Sequence, residues 1–181
     1  MKFFQPIEDI LLTRDRRTLV ELPDGSQAKM PFNSSNKYSL CIINWETNDS
    51  YYCVYIKGAP EKLWTFCSYL LVDGRNKPID DEVTKGFKQV NLTFGRGGER
   101  VLGFAKLHLP KVEYPKNTKF NVNSQDTLNF RLEGFTFLGL ISLMDPPKDS
   151  VPFAIQKCQS AGIKVIMVTG DQPPTAGAIS K

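Results

Sequence analysis

The sequence predicts an α+β protein, an antiparallel sheet flanked by helices and followed by a shorter stretch of α/β character. Three observations carry this reading. Segments rich in aromatic and β-branched residues, such as "YSLCIINWE" and "SYYCVYIK", flank short polar turns in the manner of hairpins. After Lys57, stretches with apolar residues at helical spacing appear between them. Past about Leu138 the order becomes strand, helix, strand, helix, the pattern of a βαβ unit. The chain is therefore expected to divide into residues 1–137 and 138–181, with a hinge stiffened by the paired prolines of "LMDPPK".

Each element has a local reason. After a helical or irregular start, Asp24-Gly25 sits between "TLVEL" and "QAKMPF" and signals a hairpin turn. "YSLCIINWE" and "SYYCVYIK" form the next hairpin across "TNDS". The chain turns at Gly58, and Pro60 stands where a first helical residue is favoured, since its missing N–H would be unpaired there anyway. Leu63, Trp64, Cys67, Leu70 and Leu71 then predict an amphipathic helix. "DGRNKPIDDEVTKGFKQVNLTF" is read as a turn and a second helix, stopped by "GRGG". "ERVLGFAKLHL" resumes as a strand, and "PKVEYPKNTKFNVNSQDTLNFRLEG" is a long surface loop. "FTFLGLISLMD" suggests a strand covered on both faces. "DSVPFAIQKCQSAG" is a helix with Asp149 or Ser150 as N-cap and Gly162 as its stop, and "IKVIMV" a buried parallel strand.

Composition narrows the function. A chain of 181 residues with 41% hydrophobic content buries a real core. The formal net charge of +4 is scattered along the chain, so no nucleic-acid partner is expected. No apolar stretch approaches the roughly 20 residues of a membrane span. Cys41, Cys53, Cys67 and Cys158 form no CxxC pair, and with His108 as the single histidine no zinc set assembles, so reduced, buried thiols are expected and no metal ligands. Asn33, Asn48 and Asn91 match the glycosylation pattern by chance, asparagine and serine being common in turns.

Four motifs carry chemistry, and each has a plainer alternative. In doubly wound sheets ligands collect at the carboxyl ends of parallel strands, where Thr169-Gly170-Asp171 falls. A hydroxyl, a close-approach glycine and a helix start near Pro173 would suit an anion; an ordinary strand-ending turn looks the same. "KGAPE" sets Lys57 and Gly58 beside a helix opened by proline, which fits a phosphate or nucleotide, or else a solvated lysine beside a helix cap. Arg100 in "GGERVLGF" is a phosphate fork or a surface ion-pair partner. Phe32 and Lys37 in "PFNSSNKYS" are an aromatic platform with a cation, or a core aromatic with a solvated lysine.

Taken in this order, "PFNSSNKYSL", "YIKGAPEKLW", "GGERVLGF" and "DPPKDSVPFAIQKCQSAGIKVIMVTGD" closely resemble the nucleotide-binding domain and adjoining phosphorylation domain of P-type cation-transporting ATPases, over nearly the whole chain. The first and last are most similar to the sodium/potassium and proton/potassium pump α-subunits. The resemblance implies a P-type ATPase N-domain-like sheet, truncated at its start, followed by a partial Rossmann-like segment of haloacid-dehalogenase (HAD) type. It implies that Phe32 stacks on the adenine of ATP, with Lys37, Lys57 and Gly58 lining the pocket. Arg100 would reach the phosphates, and Asp145 would sit at the hinge. Thr169 and Gly170 would hold the phosphoryl group, with Asp171 organising the site. Phosphoryl transfer of this type relies on positioning and charge stabilisation. Mg2+ would be held mostly by residues outside this chain.

Departures from the family pattern are Lys148 for the arginine after the prolines, Gln172 for a histidine, Ser39 for a glutamine near the adenine, and Pro173, Pro174 and Gly177 in the last helix. Neither the DKTG motif that supplies the phosphorylated aspartate nor the GDGxND magnesium motif occurs in the chain. The expectation is an excised piece, cytosolic and belonging to a plasma-membrane pump α-subunit, with ATP, the remaining domains and a β-type subunit as partners, binding ATP weakly and not hydrolysing it. The alternative is a catalytically inactive nucleotide-binding or interaction module derived from the same fold. A free-standing HAD phosphatase would need a nucleophilic aspartate at a strand end, whereas Asp80-Asp81 fall in a polar turn.

Overall fold

The computed structural model describes residues 17–45, 50–144, 147–170 and 173–180. These fall into two compact units, residues 17–79 with 103–139 and residues 80–102 with 140–180.

The first unit holds the core. Its strands are β1 (Arg17–Leu19), β2 (Lys29–Met30), β3 (Tyr38–Trp45), β4 (Tyr51–Gly58), β5 (Cys67–Val72), β6 (Arg75–Pro78), β7 (Arg100–Pro110) and β8 (Phe135–Leu143), the last two running beyond the unit. They join in the order β1-β3-β4-β7-β8-β5-β6, with β2 also paired to β3. β3 and β4 form the expected hairpin, antiparallel from Tyr38↔Gly58 to Asn44↔Tyr52. Alternation makes it two-faced: Tyr38, Leu40 and Ile42 are buried together with Val54 and Ile56, while Ser39, Cys41 and Lys57 point the other way. The Asp24-Gly25 turn is closed by a Glu21↔Gln27 bridge, with Gly25 at φ 78 and Asp24 accepting from the Ser26 N–H at 3.0 Å.

The sheet is mixed rather than antiparallel throughout, because β5 runs parallel to β8, with Cys67 opposite Phe135 and Leu70 opposite Phe137. This follows from a second departure. The helix predicted from Leu63 to Leu71 stops at Trp64, leaving a single turn, α1 (Pro60–Trp64), and "CSYLLV" is a strand. Asp73 and Gly74 explain it: both adopt left-handed backbone, φ 48 and 76, between Val72 and Arg75, so a two-residue hairpin loop commits both flanks to strands. Apolar positions at 63, 67, 70 and 71 satisfy either period. Pro60 opens α1 as expected, and the close approach of its Cα to β7 needs Gly103, where an added Cβ would lie 3.1 Å away.

The segment 111–134 is not only a surface loop. It buries Phe120, Val122 and Phe130, and Phe120 meets Tyr52 edge to face at 5.3 Å. A 3-10 turn, Gln125–Thr127, is closed by reciprocal Ser124 and Thr127 bonds.

Burial makes the core sensitive to alkali. It pushes the Tyr38 phenol, ordinarily near 10, and the Cys67 thiol, ordinarily near 9, up to about 12. Both therefore bind protons more tightly folded than unfolded, so their contribution is whole below pH 9 and is lost as pH rises toward 12. The melting temperature is expected to fall steadily over that window; a flat profile would mean that neither group is buried as described.

In the second unit, α2 (Asp81–Arg96) is capped by Asp80, whose carboxylate accepts from the Val83 N–H at 2.8 Å. α3 (Ser150–Ser160) ends at Gly162, φ 74, as expected, although Asp149 makes no side-chain cap bond. A last helix, α4, spans Pro173–Ile179. The parallel strand predicted at "IKVIMV" is not formed. Residues 163–169 have no regular structure, with Ile166 70% and Val168 91% exposed. A parallel strand takes its hydrogen bonds from neighbouring strands alone, and among the described residues none pairs with it.

Candidate functional site

The ends of β3 and β4 build the site. Gly58 lies opposite Tyr38 so closely that a Cβ on it would stand 2.6 Å from the Tyr38 Cα and press on the Lys37 carbonyl. Only glycine allows this approach. One residue on, the Ala59 N–H donates to that same Lys37 carbonyl at 2.9 Å, stitching "KGAPE" to "NSSNKY". Lys37 itself adopts left-handed backbone, φ 62, a conformation unfavourable for a residue with a Cβ by about 1–2 kcal/mol. Asn33 sets up the turn that leads to it, its side-chain oxygen accepting from the Asn36 N–H at 2.7 Å and its carbonyl from the Lys37 N–H at 2.9 Å.

Beside this junction opens a cavity of about 440 Å³, lined by Met30, Pro31, Ser39, Cys41, Tyr55, Lys57 and Phe104 among others. That size suits a small-molecule ligand. Ser39 and Lys57 face each other across the ladder, and Phe104 follows on β7 opposite Lys57. The lining is thus largely apolar and aromatic, with two lysines, Lys29 and Lys57, among it. Burial raises the Cys41 thiol, a backbone hydrogen bond from Tyr55 and the Lys57 charge acting in the other direction. Neutral at ordinary pH, Cys41 lines the cavity as a small apolar group. Next to Pro31, Phe32 is 62% exposed, an aromatic ring left outside the core.

Phe32, Lys37, Lys57 and Gly58 all belong to the first unit, with Gly58 set against Lys37. Arg100, Thr169 and Gly170 belong to the second. Arg100 is exposed at the start of β7, and the preceding residue, Glu99, accepts through its carbonyl from the Thr175 hydroxyl of α4 at 3.2 Å. Thr169 and Gly170 lie at the end of the irregular 163–169 segment, not of a strand, and a Cβ at Gly170 would touch nothing. Asp145 and Asp171 lie outside the described residues. Sequence reasoning missed Asn33, read only as a chance glycosylation match, and missed Cys41, Tyr55 and Phe104 as cavity residues. Strand alternation from Lys57 was the available signal for these three.

Among the described residues no helix is long and apolar enough to cross a membrane, and no three carboxylate, histidine or cysteine groups converge to hold a metal.

The family described as P-type ATPase, cytoplasmic domain N, matches residues 23–150. The chain is 48% identical over 155 residues to the sodium/potassium-transporting ATPase subunit alpha-3 of Gallus gallus. It is 49% identical over 154 residues to the alpha-2 subunit of Sus scrofa, and 48% identical over 155 residues to the alpha subunit of Drosophila melanogaster. Each comparison takes in 85% of this chain, which spans about 15% of the length of these curated relatives. With the family match running through the β3–β4 hairpin, the cavity and both lysine turns, the chain belongs to the P-type ATPase cytoplasmic N domains.

Proposed function

We propose that this chain is the ATP-binding portion of a sodium/potassium-type cation pump α-subunit, a P-type ATPase that couples ATP hydrolysis to ion transport through an aspartyl-phosphate. The observation that carries the reading is a cavity of adenine-accommodating size lined by Pro31 and Lys57, whose chain neighbours are Phe32 and Gly58, with Gly58 packed against the Lys37 turn. Phe32, exposed beside the cavity, offers a face on which adenine stacks, and every base has such a face. Lys57 supplies a cation to the sugar-phosphate side, and Lys37 a second at the neighbouring turn. Gly58 brings the two strands close enough for both to serve one ligand.

Arg100 is assigned to the phosphates, Thr169 and Gly170 to holding the phosphoryl group, Asp171 to organising transfer and Asp145 to the hinge. In the parent protein, residues 1–137 are the nucleotide-binding domain. Residues 138–181 enter a Rossmann-like phosphorylation domain whose remaining strands flank "IKVIMV". ATP brings magnesium, which the parent pump is expected to hold mostly through residues outside this chain. The parent is a plasma-membrane protein with this portion in the cytosol, and its partners are the remaining α-subunit domains and a β-type subunit.

Titration of ATP onto the chain, followed by backbone amide shifts, tests this. Shifts are expected around Phe32 and Lys57 at high micromolar to millimolar ATP, without release of phosphate. Phe32→Ala is expected to weaken binding about tenfold through lost stacking. Absence of any shift in a folded sample, or phosphate release by the chain alone, would count against the reading; a response confined to residues away from this junction would favour an interaction module.

A further inference from the structure

The Lys37–Gly58 junction is braced from a distant part of the chain. Tyr38, which follows Lys37 and faces Gly58, is fully buried, and its ring meets Phe66 edge to face at 5.6 Å. Its hydroxyl donates to the side-chain carbonyl of Gln125 at 3.0 Å, across 87 residues of sequence. Burial and the nearby Asp126 carboxylate keep that phenol protonated, so it stays a donor throughout the physiological range.

Gln125 is firmly held in turn. It opens the 3-10 turn closed by Ser124 and Thr127. Thr127 also donates to the Asn121 side chain at 3.1 Å, and the Asn129 amide bridges the Asn121 N–H at 2.9 Å and the Lys119 carbonyl at 2.8 Å. Phe120, Val122 and Phe130 anchor this segment in the core. A side-chain amide mounted on so cross-linked a loop is a fixed point, not a chance surface contact.

We propose that Gln125 is a positioning residue of the nucleotide site: through the Tyr38 hydroxyl it holds the β3 end at which Lys37 keeps its left-handed backbone and accepts from Ala59. The proposal rests on the ATP-binding reading for its effect on affinity, but the positioning itself stands apart from it. Losing the bond frees the strand end to relax out of the unfavourable φ. Lys37 then leaves its place against Gly58 and Ala59, and the site must be re-formed each time ATP binds.

The test uses Tyr38→Phe and Gln125→Leu, each removing one partner while keeping the packed bulk. Amide hydrogen exchange at Ala59, without nucleotide, is expected to speed by about three- to tenfold, the size of one ordinary hydrogen bond. ATP dissociation constants are expected to rise by a similar factor. The double variant should be no worse than either single, since one bond is lost in each case. Gln125→Glu, which keeps an acceptor, should restore both readouts to within about twofold of the parent. Unchanged exchange at Ala59 in either variant would overturn the proposal, even with the melting temperature lowered. Faster exchange in a chain that does not respond to ATP would sustain the positioning and sink the nucleotide reading instead.

Discussion

Replacing Gly58 by alanine is expected to lower the stability of the chain by about 3 kcal/mol and to abolish its response to ATP, the upper range for forcing a methyl into a closed space. The new Cβ would lie 2.6 Å from the Tyr38 Cα and 2.7 Å from its Cβ, and would press on the Lys37 carbonyl. These are mostly backbone atoms of the neighbouring strand, so no side-chain rotation relieves the clash. The strands must part at the end of the β3–β4 ladder, and that breaks the Ala59 to Lys37 bond as well. Thermal unfolding gives the first quantity, and an ATP titration well below the melting temperature gives the second. An alanine variant that melts with the parent would show that the strands are farther apart than described. One that is destabilised yet binds ATP normally would separate the strand junction from the nucleotide.

Truncating Phe135 to alanine is expected to cost more stability, about 3–5 kcal/mol, and to leave the site itself intact. Its side chain is fully buried, its ring lies 6.5 Å from that of Phe66, and it starts the parallel pairing of β8 with β5. Removing the ring opens a cavity under β5 and β8, with β7 standing between it and the β3–β4 ladder in the strand order. Denaturant unfolding measures the loss, and ATP affinity at low temperature should match the parent in the molecules that remain folded. A loss below about 1 kcal/mol would mean that the core closes around the gap. The two substitutions form a pair: one removes function along with stability, the other stability alone.

What could be read from the sequence divides along physical lines. β3, β4, β7 and β8 were legible because eight or more residues rich in aromatic, β-branched and other apolar side chains leave little choice of structure, although Ile141 and Leu143 of β8 are exposed rather than covered on both faces. The Lys57-Gly58 junction was legible as well, since a glycine at a strand end and a proline-opened helix each impose a local geometry. β5 was not, because its apolar spacing satisfies a helix equally well, and only the tertiary pairing with β8 decides it. The failure at "IKVIMV" has another origin: its composition asks for a parallel strand, but such a strand exists only where neighbours supply both ladders. The bracing role of Gln125 depends on a contact between residues 87 apart, which no local pattern announces.

The exposed run from Ile163 to Val168 has a practical side. Its six residues, five of them apolar, carry a single charge, Lys164, and lie open to solvent with their backbone outside any ladder. Such a segment pairs readily with a second copy of itself, strand on strand. In concentrated solution, self-association and precipitation would start at this tail while the N-domain core remained native. Charged substitutions at Ile166 or Val168, far from the Lys37–Gly58 junction in sequence, are the economical remedy for keeping the molecule monodisperse.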